Sequence, residues 1–302
     1  MVDVREVLEQ LRAAARSEGR GRILRRLDDT PETLAALRAV RRDGPGHLRL
    51  TALDALAYLG GEAALEPADI ASVERLVRIR RRNDALRPVM SCWTYWWCIP
   101  SNDQTAVMAS IGLTGPRPVT YDLACSVIDI LEHCDRDAGK VYVGPAVNGW
   151  TPVVGPGCNA FGKRHNDVKV TLERLSAEYG EAHAFYFGAQ GDGSAWLVAR
   201  NGATVRRFSS IDPQQSSGEP LPIERQWMRD NGVPGRPEEH LGRDDDFSDE
   251  MWEFIEANDL AATISLDVGW RHPTDAATYG GPLLANLPGT SPGPLPPGNY
   301  KL

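Results

Sequence analysis

Lys140-Val-Tyr-Val143, Trp150-Thr-Pro-Val-Val154, His183-Ala-Phe-Tyr-Phe187, Ala195-Trp-Leu-Val-Ala-Arg200 and Ala203-Thr-Val-Arg-Arg-Phe208 are short runs rich in β-branched and aromatic residues, in a stretch punctuated by Gly, Pro and Asn. Each reads as a strand. Between the second and third, Val168, Leu172, Leu175 and Tyr179 recur at i, i+4, i+7 and i+11, and Gly180 follows where a left-handed cap ends a helix. Asn201-Gly202 separates the last two runs, and Asn148-Gly149 the first two. An Asn-Gly pair between β-rich runs predicts a two-residue hairpin, because both central residues of its turn need positive φ. The order is therefore ββαβββ with an antiparallel final pair, which excludes a doubly wound parallel sheet.

Working outward, Ser91-Cys-Trp-Thr-Tyr-Trp-Trp-Cys-Ile-Pro100 is the densest aromatic cluster. Alternation places Trp93, Tyr95 and Trp97 on one face and Thr94, Trp96 and Cys98 on the other, as in a strand buried on both sides. Ser101-Asn-Asp-Gln104 has the form of a capping box, and Thr120 opens a helix carrying Leu123, Val127, Ile130 and Leu131. Residues 1–88 read as helical. Thr30-Pro31-Glu32 supplies an N-cap hydroxyl, a first-turn Pro and an early carboxylate, and the Leu-rich run from His47 ends at Gly60-Gly61. With Pro31 to Arg42 as partner, that run resembles one HEAT-type helical hairpin; a free-standing solenoid needs about three such units. The fold class is α+β: an N-terminal α-helical, HEAT-like cap (1–88) packed on a mainly antiparallel sheet domain (89–280), followed by a Pro/Gly-rich tail (281–302).

Charge divides unevenly. Residues 1–88 hold 17 Arg and 14 acidic residues, a net of +3, and the remainder holds 16 basic and 27 acidic residues, a net of −11. This balance disfavours nucleic acid as a partner. No apolar run approaches the roughly 18 residues of a membrane span, and the N-terminus lacks a signal peptide's apolar core, so a soluble, cytoplasmic protein is expected. The five cysteines lack paired spacing, which argues for reduced thiols and against a disulfide scaffold or structural zinc.

The strings Trp97-Cys-Ile-Pro-Ser-Asn-Asp103, Val141-Tyr-Val-Gly-Pro145, Asn148-Gly-Trp-Thr-Pro-Val-Val-Gly155, Leu175-Ser-Ala-Glu-Tyr-Gly180, Ala195-Trp-Leu-Val-Ala-Arg-Asn-Gly202, Val205-Arg-Arg-Phe208 and Ile264-Ser-Leu-Asp-Val-Gly-Trp-Arg-His-Pro-Thr274 resemble a family of uncharacterised bacterial α+β proteins. The resemblance spans about residues 91–290 and implies a cytoplasmic sheet domain but no activity. Its style is similar to that of toxin-immunity proteins, an analogy only.

Three stretches carry residues of enzyme-like chemistry beside plainer readings. Gly157-Cys-Asn-Ala-Phe-Gly162-Lys163 has phosphate-loop spacing, but Arg164 stands where a magnesium-binding hydroxyl is needed, and a surface loop is expected. Cys98 or Cys158 with His133, His165 or His183 would make a thiol hydrolase, whose pocket would lie between the Trp93–Trp97 strand and the Gly155–His165 loop. Asp267, His272 and Asp275 have metal-ligand chemistry, although His272-Pro273-Thr274 reads as a turn. No cofactor and no metal are implied.

The favoured reading is binding. Arg236 to Asp259 carries ten acidic residues against Arg236 and Arg243. Ser248 is placed to cap a helix whose Asp249, Glu253 and Glu256 share one outward face, beside Asp244, Asp245 and Asp246. A solvated helix face is the plain alternative; the functional one is a surface that steers a basic protein partner, as an inhibitor or immunity protein requires. A tailoring hydrolase or transferase is the runner-up.

Overall fold

The computed structural model describes residues 3–13, 23–24, 26–134, 139–241, 254–290 and 293–298. The chain divides into two compact units, residues 1–84 with 293–302, and residues 85–292. Among the described residues no helix is long and apolar enough to cross a membrane.

The first unit contains helices α1 (Val4–Ala13), α2 (Pro31–Asp43), α3 (Gly46–Gly60) and α4 (Pro67–Arg80). Thr30 caps α2 as its sequence predicts, its hydroxyl accepting from the Thr33 amide at 3.2 Å. Helices α2 and α3 form the expected helical hairpin, with Leu37, Val40, Leu48, Leu53 and Leu56 buried. Arg41 crosses to the buried Asp69 of α4 at 2.7 Å. Part of the Pro/Gly-rich tail belongs to this unit. The Leu295 amide donates to Glu62 Oε2 at 2.8 Å, and the Glu62 amide donates to Leu295 O at 3.0 Å. Gly61 sits at φ +60°, and a Cβ there would lie 2.5 Å from Leu295 O, so the close approach requires glycine.

The second unit is organised by one nine-stranded sheet in the order β2-β11-β3-β5-β1-β6-β7-β8-β9, antiparallel at every step. Its strands are β1 (Trp93–Ile99), β2 (Thr114–Pro118), β3 (Lys140–Val143), β5 (Thr151–Val154), β6 (Glu181–Gly188), β7 (Ser194–Arg200), β8 (Ala203–Ser209), β9 (Ser217–Gly218) and β11 (Leu283–Asn286). A separate two-stranded ladder joins β4 (Ala146–Val147) to β10 (Thr278–Tyr279). Among the described residues the unit also has α-helices α5 (Gln104–Ile111), α6 (Tyr121–Cys134), α7 (His165–Tyr179), α8 (Pro222–Asp230), α9 (Pro237–His240) and α10 (Ala257–Ile264).

The ββαβββ block is present. Asn201 and Gly202 have φ of 47° and 87° and join Arg200 to its partner Ala203, as the hairpin reading requires. Two expectations need correction. The capping residue of α5 is Asp103, whose carboxylate accepts from the Thr105 and Ala106 amides, while Ser101 only braces the Asp103 amide. The tail assigned to 281–302 begins with a strand: β11 pairs with both β2 and β3, and Leu284 and Ala285 are buried. Pro and Gly on both sides hid this four-residue run.

Strand β1 lies near the middle of the sheet and is buried on both faces. On one face Tyr95, Trp97 and Ile99 pack with Val168, Leu172 and Leu175 of α7. On the other, Trp96, Phe185, Trp196 and Phe208 form a row across four adjacent strands; Trp96 stacks on Phe185 at 5.1 Å, and Trp196 on Phe208 at 4.2 Å. Such pairs contribute roughly 0.5–1.5 kcal/mol each beyond the area they bury. This second face positions the segments described next.

Candidate functional site

The acidic stretch is fixed at both ends by different chemistry. At its start, Arg206 of β8 is fully buried and its guanidinium is shared between two carboxylates: Nη2 lies 2.7 Å from Glu224 Oε1 and 2.9 Å from Glu238 Oε2, and Nη1 lies 3.0 Å from Glu238 Oε1. Glu224 belongs to α8 and Glu238 to α9, so one side chain clamps both helices to the sheet. Burial is the largest single influence on Glu238 and works against its ionisation, but the hydrogen bonds and charge of Arg206, a backbone amide and the hydrogen bond from Arg236 together outweigh it and hold the carboxyl below its ordinary range. At the far end, Phe254 meets Trp227 edge-on at 4.9 Å and lies 5.3 Å from Phe208, the last member of the aromatic row.

Asp244, Asp245, Asp246, Asp249 and Glu253 lie between these anchors, outside the described residues. Glu256 is exposed, but the expected helix does not run through it. Phe254 and Ile255 are consecutive, both buried and not helical. A new helix, α10, starts at Ala257, where the Ser194 hydroxyl of β7 accepts the Ala257 amide at 3.1 Å. Glu256 therefore stands just before a helix N-terminus. Partial burial, with Asp259 nearby, raises its carboxyl above the ordinary value.

Past α10 the chain makes a loop that contains Asp267 and His272, two of the metal-ligand candidates. Asp267 is buried, and its carboxylate accepts the Gly269 amide at 2.9 Å and the Arg271 amide at 2.6 Å. His272 closes the loop with Nδ1–H on Asp267 O at 2.7 Å, and the Val89 amide donates to Val268 O at 2.7 Å. The residue between the two held amides is Trp270, which is 71% exposed. Arg271 pairs with Asp259 of α10, which ties the loop to the helix that Glu256 precedes. A rigid backbone thus carries an indole into solvent beside carboxylates. The available signal was that Trp270, between Gly269 and Arg271, belongs to no apolar period.

The other candidates resolve as follows. Cys98 and His183 are directly opposed in β1 and β6, and His183 Nε2–H donates to Glu181 Oε2 at 3.2 Å, giving the order of a thiol–imidazole–carboxylate series. Both Cys98 and His183 are fully buried, however, and the thiol donates to Leu266 O at 3.1 Å. Burial pushes the Cys98 pKa up to about 12, so no thiolate is on hand at neutral pH. The carboxylate end alone reaches solvent, where Glu181 lines an open cavity of about 430 Å³ with Pro100, Tyr179 and Arg200. Cys158 is likewise buried. Trp97 Nε1–H donates to its carbonyl at 2.9 Å, and Trp97, Cys158 and Ala160 share one core cluster, so the space expected to hold an enzyme pocket is filled. His133 bonds Asp129 O, and His165 bonds Gly162 O. Strand β5, which leads into the Gly157–Lys163 loop, is antiparallel to both neighbours. Among the described residues no group of three or more His, Cys, Asp or Glu is placed to hold a metal ion; Asp267 in particular is occupied by backbone amides.

No family model, curated protein or solved structure matches this chain.

Proposed function

We propose that the chain is a protein-binding module whose acidic surface attracts a basic protein partner. The observation that supports this most is the solvent-exposed Trp270 on a loop held by buried Asp267, joined through Arg271 and Asp259 to the helix that follows the acidic stretch. Tryptophan is the residue most enriched at interface anchors, and a pre-ordered loop loses little entropy on docking. The buried, protonated Cys98 weighs against thiol catalysis.

Inhibition of a nucleic-acid-directed enzyme is the particular role we place first. Such an enzyme needs a cationic face to hold phosphates, and an acidic surface fits that face. The likeness to immunity proteins rests on this charge argument alone. Association of a nona-arginine peptide should be fast at low salt and slow as salt rises, because the Debye length contracts from about 30 Å at 0.01 M to about 3 Å at 1 M. A Glu253→Lys, Glu256→Lys double variant should associate more slowly at low salt and converge with the parent at high salt. An on-rate that ignores both salt and these substitutions would remove the acidic surface from the mechanism.

A further inference from the structure

An indole at the surface has two physical uses: it covers apolar area on a partner, or its electron-rich face receives a cation. Around Trp270 the second is favoured by charge. Arg271, the residue after Trp270, pairs with Asp259 and also acts on Glu256, so two carboxylates share one guanidinium there. The chain beyond residue 88 has a net charge of −11, so a cation approaching this unit moves down a long-range potential before it meets the ring.

Rigidity adds to this. The amides immediately before and after Trp270 are held by the two oxygens of one buried carboxylate, and the turn is closed again by the His272 amide on Gly269 O at 3.1 Å. Three backbone bonds and an ion pair thus hold the loop that carries Trp270.

We propose that Trp270 is a cation anchor: it receives an arginine or lysine side chain of a basic polypeptide against its ring face, with Glu256 as the flanking carboxylate. This rests on the protein-binding reading above and names the chemistry by which that partner is held. The carboxylates govern how fast the partner arrives, and the indole governs how long it stays.

The experiment measures association and dissociation rates of a fluorescent nona-arginine peptide with the full chain, for the parent, Trp270→Ala, Trp270→Phe and Glu256→Lys. Trp270→Ala should raise the dissociation rate at least about threefold, the scale of an exposed cation–π contact. Trp270→Phe, which keeps an aromatic face, should recover part of the loss. Both variants should unfold at the parent's denaturant midpoint. Dissociation unchanged in Trp270→Ala, with association still slowed by Glu256→Lys, would overturn the anchor while leaving charge steering intact. Dissociation raised in Trp270→Ala, with association indifferent to salt and to Glu256→Lys, would uphold the anchor and overturn the steering. Absence of peptide binding at low salt would overturn both. Sedimentation as a dimer that Trp270→Ala converts to monomer would assign the ring to a second copy of the chain and overturn the proposal.

Discussion

Glu224 and Asp267 are both almost fully buried in the sheet unit, and the groups that satisfy them differ in kind. Glu224 faces a guanidinium: Arg206 lies 2.7 Å away and is itself without solvent contact. Asp267 faces only peptide N–H groups, those of Gly269 and Arg271. In the first case two opposite charges were desolvated together, and the gain is that α8 and α9 have one position on β8. In the second a single charge was desolvated to shape a loop, and burial raises its pKa accordingly. A buried charge with a counter-charge holds elements together, whereas a buried charge on amides specifies local backbone.

The sharpest way to break this contrast is at the ion pair. Glu224→Ala leaves the Arg206 charge with one carboxylate in place of two and should cost on the order of 3–5 kcal/mol, seen as a lower urea midpoint. The joint replacement Arg206→Met, Glu224→Leu should recover most of that loss, because both desolvated charges of the pair are then removed together. A Glu224→Ala variant as stable as the parent would show that Glu238 alone suffices.

At the loop the effect should be smaller and local. Asp267→Asn retains one acceptor and turns a donor toward the other amide, so one of the two N–H groups loses its partner, at about 1–3 kcal/mol. Hydrogen exchange at Gly269 and Arg271 should accelerate while core strands stay protected, and nona-arginine should dissociate faster. Equal exchange in the two proteins would mean that the loop is held by other contacts.

The smallest expected effect concerns a third buried ionisable group. Burial lowers the pKa of His183 below 6.5, against the pull of Glu181, whose own pKa is lowered below 4.5 chiefly by that hydrogen bond. For groups depressed in the folded state, stability is fully present above the unfolded pKa and is lost as pH falls through the folded one. The urea midpoint should therefore decline between about pH 7 and about pH 5 through His183 and further below that through Glu181, and His183→Phe should flatten the upper part. A parent midpoint constant across that range would contradict the depressed value.

Much of the sheet was legible because strand signals are local. Asn201-Gly202 dictated a turn by its own backbone preference, and the Val168 to Tyr179 period dictated one helix face. What stayed hidden needs partners distant in sequence. Nothing in Leu283-Leu-Ala-Asn286 says that it pairs between β2 and β3, whose paired residues lie at least 165 and at least 140 positions upstream. Arg206 reads as one cation of a hairpin until α8 and α9 fold over it. The acidic helix failed at Glu256 for the same reason: Phe254 takes its place from Trp227 and Phe208, and Ser194 restarts the helix, neither of which a window of neighbouring residues contains.

The bonds between Leu295 and Glu62 carry a consequence for synthesis. Helices α1 to α4 leave the ribosome before the sheet unit, yet the unit they belong to includes residues 293–302, which leave after it. The uninterrupted 85–292 unit has all its residues in hand before that closing segment is made. During translation the earlier-born unit is thus the later one to be completed.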